Sequence, residues 1–137
     1  MTRHHLYRIC RQEGGRIGHL YLTGFDCWTL AADNEYTVPD GVYTLRLVTS
    51  GRFGPGTIWI CREPGVEYAQ AGHHNLIHAL NYATQSTGCE GVAPEISTLG
   101  RDYIGGPVPG ASARALARVK EVVQDGDELE IGTLPIL

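Results

Sequence analysis

The sequence predicts a mainly β domain with one C-terminal helix, an α+β chain folded as a small twisted β-sandwich or barrel. Three observations point there. Eighteen glycines and seven prolines in 137 residues are more chain breakers than a helical domain can place, whereas a turn-rich β domain uses them. The stretch from Val42 to Thr49 alternates its side chains with the period of two that a strand requires. Only the late segment Ala113 to Val123 repeats apolar residues (Leu116, Val119, Val122, Val123) at helical spacing.

The elements follow in order. Leu6 to Cys10 and Gly18 to Thr23 flank Gly14-Gly15, which reads as a hairpin whose glycines supply the positive φ of a tight turn. Cys27 to Leu30 is a short third strand. Val38-Pro39-Asp40-Gly41 carries turn chemistry, proline presetting one φ and glycine accepting a left-handed one. Val42 to Thr49 is the next strand, Ser50 to Gly56 a loop, and Thr57 to Cys61 another strand. The polar, glycine-punctuated run from Arg62 to His74 is a long loop, and Asn75 to His78 a short apolar strand. Ser112 is the natural N-cap of the helix, Asp125-Gly126 ends it, and Glu128 to Ile131 forms the last strand.

Composition bounds the function. With 42% hydrophobic and 19% charged residues the chain can bury a core, and its length suits one domain over residues 1–137. No apolar run approaches the roughly 20 residues a membrane span needs, and no basic segment leads into an apolar one at the start. Neither a membrane partner nor a signal peptide is expected. A net charge of −4 is the wrong sign for a nucleic-acid partner. Gly105 to Gly110 lacks the Lys-Ser/Thr of a phosphate loop, so no cofactor is expected there or elsewhere.

Histidines, carboxylates and tryptophans offer weaker patterns. His74 and His78 are four apart, but in a strand that spacing separates them by roughly 13 Å, and no carboxylate completes a metal set with His73. His4-His5 reads as a frayed, solvated end. Asp33, Glu35 and Asp40 read as solvated turn carboxylates, and Trp28 and Trp59 as core.

The four cysteines, Cys10, Cys27, Cys61 and Cys89, form no CxxC pair. Cys10, Cys27 and Cys61 sit in apolar strand settings that suit buried, inert thiols. Cys89 instead follows Ser86-Thr87-Gly88, eleven residues after His78. An imidazole folded back onto a thiol produces the nucleophilic thiolate, and the preceding glycine lets backbone amides approach a substrate carbonyl.

The order of motifs from Gly18 to Val92 resembles a phage- and prophage-borne family known as a domain of unknown function. The likeness rests on Gly18-His19-Leu20-Tyr21-Leu22, Trp28-Thr29-Leu30, Val38-Pro39-Asp40-Gly41-Val42-Tyr43 and Arg52-Phe53. It closes on Ile77-His78, Asn81 and Thr87-Gly88-Cys89. That closing element in turn resembles the L,D-transpeptidase (YkuD-type) site, an Ile-His strand followed by Ser-x-Gly-Cys-x-Arg. The resemblance implies a cysteine enzyme acting on peptidoglycan stem peptides, with Cys89 as nucleophile and His78 as base. Gly88, Ser86 and Thr87 would form the oxyanion turn, with Asn81 and Glu90 as modulators. It also implies residence in a phage particle or in the host cytoplasm.

Four residues depart from that pattern. Gly91 stands where the transpeptidases carry arginine, Glu90 replaces an apolar residue beside the cysteine, and Ala79-Leu80 replaces the glycine after the histidine. A carboxylate facing the thiol would raise its pKa and repel an oxyanion. If the chemistry is retained, Arg101, Arg62 or Arg52 is expected to neutralise Glu90. If it is not, the alternative is a catalytically degenerate phage structural module that binds other phage structural proteins.

Overall fold

The computed structural model describes residues 1–12, 15–79, 89–93 and 111–134. The strands are β1 (Arg3–Gln12), β2 (Gly15–Leu22), β3 (Phe25–Ala32), β4 (Gly41–Ser50), β5 (Gly54–Cys61), β6 (Leu76–Ala79), β7 (Glu90–Ala93) and β8 (Glu128–Thr133). A 3₁₀ turn at Tyr68–Gln70 interrupts the long loop, and the helix α1 spans Ala111–Val122. The strands close into a barrel in the order β1-β2-β3-β7-β6-β5-β4-β8. Closure leaves no sheet edge to protect. Two pairings are parallel, β1 with β8 and β6 with β7. No helix among the described residues is long and apolar enough to cross a membrane.

Strand register places the core inside. Leu6, Leu20 and Cys27 are successive cross-strand partners, so they share one face, and they join Leu45, Ile58, Ile77, Val92 and Leu129 in one buried cluster. Ala115, Val119 and Val123 of α1 complete it. Gly18 is required where β1, β2 and β3 crowd: a Cβ there would lie 2.8 Å from Thr29 Oγ1 and 2.9 Å from the Tyr7 carbonyl oxygen.

Several expectations need correction. Cys10 is exposed, because the β1–β2 register shifts between Arg8 and Cys10. Strict alternation after His4, Leu6 and Arg8 would have turned it inward, but a bulge resets the alternation. His4 is no frayed end. Its Nε2 donates to Asp127 Oδ2 at 2.8 Å in a buried pair, and β1 is already formed at Arg3. The turn after β3 lies earlier than Val38 to Gly41: the Asn34 side-chain oxygen accepts from the Tyr36 N–H, and the Asn34 carbonyl accepts from the Thr37 N–H. Ser112 falls inside α1, and its hydroxyl donates to the Val92 carbonyl at 2.6 Å, tying the helix to β7. Leu116 is only half-buried, while Val119 is fully buried. Strand β7 has no counterpart in the sequence reading.

Candidate functional site

The candidate nucleophile and base lie on neighbouring strands. Ile77 pairs with Glu90 and His78 with Gly91 in the parallel β6–β7 ladder. Side chains alternate, so Ile77 points into the barrel core and Leu76 and His78 point outward. Cys89, one residue before β7, packs outside with Trp59, Cys61 and Leu76. Cys89 and His78 thus share the outer face. Gly91, in register with His78, adds no side chain to that face.

The His78 ring is held from two sides. Its Nδ1 lies 2.7 Å from the Ala79 carbonyl oxygen, and its plane stacks on Phe53 with centroids 4.6 Å apart and 16° between planes. A carbonyl can only accept, so Nδ1 carries the proton and Nε2 is the basic nitrogen. Burial lowers the pKa of His78, the bond to the Ala79 carbonyl opposes that, and the Arg52 charge adds to the lowering. The imidazole is therefore neutral at pH 7.

The thiol is engaged elsewhere. Cys89 Sγ accepts the Leu76 N–H at 3.4 Å and lies 3.8 Å from the His74 carbonyl oxygen, to which its S–H donates. No hydrogen bond joins Cys89 to His78 among the described residues. The side chain is 9% exposed, so it is not the open turn cysteine that its glycine-preceded setting suggests. The His74 ring in turn bonds the Tyr68 carbonyl through Nε2 and stacks on Tyr68. Among the described residues no group of three or more His, Cys, Asp or Glu side chains is placed to hold a metal ion.

Glu90 turns away from the thiol. Adjacent strand residues face opposite sides, and Glu90 points into the barrel, where Arg8 Nη2 donates to its Oε1 at 2.8 Å. Arg8 Nη1 also donates to the Val38 carbonyl at 2.6 Å. Both side chains are buried. Burial pushes the Glu90 carboxyl pKa up, and the Arg8 guanidinium works against that rise. The cation that neutralises Glu90 is Arg8, not Arg62 or Arg52, and Arg101 lies outside the described residues. Arg8 carries no motif signal in sequence, because its role depends on β1 and β7 facing one another across the interior.

Ser86, Thr87, Gly88 and Asn81 also lie outside the described residues. Two clefts of about 350 and 440 Å³ flank the loop after β5 and share Trp59 and Val66, and neither is lined by Cys89 or His78. The Ala79 carbonyl carries no motif, being backbone, whereas Arg52-Phe53 enters the sequence reading only as part of the resemblance and lies beside His78 in the structure.

No protein-family model matches the chain, and no curated protein or solved structure is significantly similar to it. None of the three comparisons bears on the expected likeness to the phage family or to the L,D-transpeptidases.

Proposed function

We propose that this barrel is a phage-type cysteine acyl-transfer domain of L,D-transpeptidase character, acting on peptidoglycan stem peptides through Cys89 and His78. The observation that carries the reading is the 2.7 Å contact between His78 Nδ1 and the Ala79 carbonyl. It fixes the tautomer in which Nε2 is a free base, the role a third group plays in any nucleophile–base–orienter arrangement. The lowered basicity of His78 keeps that base unprotonated at neutral pH.

In the reaction, Cys89 gives up its bond to the His74 carbonyl and passes its proton to His78 Nε2. The thiolate attacks the amide carbon of the stem peptide. The amine leaves with the proton from His78, and a thioester remains on Cys89. A second amine, or water, then attacks the thioester and regenerates the thiol. Catalytic hydrogen bonds are often long or misaligned in the free enzyme and tighten only with substrate, which accommodates the separate anchoring of thiol and imidazole. The ion pair with Arg8 removes the objection that Glu90 would raise the pKa of the thiol.

A second reading is a catalytically degenerate module that binds other phage structural proteins. What favours it is the packing of Cys89 against Trp59, Cys61 and Leu76. Incubation with purified muropeptides separates the two. Turnover that Cys89→Ala and His78→Gln both abolish supports the enzyme. Absence of turnover by the folded wild-type chain leaves the binding module.

A further inference from the structure

The turn between β4 and β5 is built more carefully than a connecting loop requires. The buried Ser50 hydroxyl oxygen accepts both the Arg52 N–H, at 3.2 Å, and the Phe53 N–H, at 3.1 Å. Gly54 closes the turn at φ 83°, in the left-handed region. The result brings three groups together: the Arg52 guanidinium carbon lies over the Phe53 ring, 5.2 Å from its centroid, and Phe53 stacks on His78. Phe53 remains 37% exposed, so it walls the site rather than filling the core.

Arg52 differs from five of the other described arginines. Arg3, Arg8, Arg16, Arg46 and Arg118 each have a carboxylate partner. Among the described residues, Arg52 has none. Its exposed guanidinium lies over the Phe53 ring, beside the imidazole that the proposed chemistry uses. A planar fork of donors matches a carboxylate in two-point fashion, and the Phe53 ring offers an apolar wall to the methyl group of an alanine-like terminus.

We infer that Arg52, Phe53 and His78 form a binding subsite for the C-terminal carboxylate of a peptide, with Arg52 as its anion-binding residue. The assignment builds on the acyl-transfer reading, since it gives that site an anchor for a peptide end in place of the arginine that Gly91 lacks. A carboxylate on Arg52 also cancels the charge that weakens His78 as a base, so binding and activation of the base are coupled.

The test follows the ring signals of His78 by NMR in the full chain while N-acetyl-D-alanine or N-acetyl-D-alaninamide is added. The carboxylate probe is expected to shift the His78 signals, and the neutral amide to need at least about tenfold more to do so. Arg52→Gln should erase that preference and Arg52→Lys keep part of it, both at an unchanged urea midpoint because the side chain is exposed. Equal responses to the two probes, or a preference that survives in Arg52→Gln, would overturn the assignment. Binding is read without turnover, so the failures separate. Carboxylate preference without muropeptide turnover overturns the acyl-transfer reading alone, and turnover without preference overturns the Arg52 subsite alone.

Discussion

Arg8 Nη2 and Glu90 Oε1 sit 2.8 Å apart inside the barrel, joining β1 to β7 across the inner faces of β2 and β3. The residues registered beside them on those strands are small, Gly18 opposite Arg8 and Ala31 opposite Glu90. Removing Glu90 leaves the buried Arg8 with only the half-exposed Asp40 carboxylate, 3.6 Å from Nη1, to offset its charge. Glu90→Ala is expected to cost about 3–5 kcal/mol by urea denaturation, whereas Arg8→Met with Glu90→Leu should recover most of that loss. A Glu90→Ala variant within about 0.5 kcal/mol of wild type, the usual range of a surface substitution, would contradict a load shared by the pair.

The helix makes a second prediction. Val119 is fully buried and Leu116 half-exposed, so the larger side chain matters less. Val119→Ala should destabilise by about 2 kcal/mol and Leu116→Ala by about 1 kcal/mol. The reverse order of urea midpoints would show that the core face of α1 has been misassigned.

The lowered pKa of His78 predicts a pH dependence of stability. Between its folded pKa and the ordinary value of 6.5, the unfolded chain binds more protons than the folded one. The contribution is therefore fully present above about pH 6.5 and is lost as pH falls through the folded value. Wild type should lose more stability between pH 7.5 and pH 5 than His78→Gln does. Parallel losses in the two proteins would contradict it.

The cysteines should react in an order set by burial and charge. Cys10 is exposed and should alkylate first under native conditions. Cys27 is buried with its pKa pushed up to about 12, by burial and then by the Asp26 charge, and should stay unlabelled until the chain unfolds. In a Cys10→Ser background, Cys89 should be the thiol whose labelling rate falls when His78 is replaced by Gln. Peptide mapping by mass spectrometry reads all four positions. A Cys89 rate indifferent to His78 would remove the thiol–imidazole coupling.

Local patterns carried much of the fold. The antiparallel β1–β2 pair, the strand at Val42 to Thr49 and the late helix all announce themselves through period, although Gly15 opens β2 instead of turning the chain and Gly14 lies outside the described residues. What stayed hidden depends on partners far away in the chain. Strand β7 is four residues, Glu-Gly-Val-Ala, with a charge and a glycine and no alternation, and it is a strand because β3 and β6 flank it. The bulge near Ile9 exposes Cys10, and Asp127 buries His4, both through contacts no local window contains. The site was half legible. Cys89 and His78 stood out by residue type and spacing, but the direction of Glu90 needed the strand parity of β7, and its partner Arg8 needed the closed barrel.

The proposed reaction requires covalent acylation of Cys89 by a peptide, with His78 as the base. The most direct measurement is the intact mass of the protein after acid quenching of a reaction with a disaccharide-tetrapeptide muropeptide. A thioester adduct that maps to Cys89 is expected, absent in Cys89→Ala and strongly reduced in His78→Gln. A folded wild-type protein that turns the muropeptide over with no adduct on Cys89, or that never turns it over, would contradict the proposed reaction.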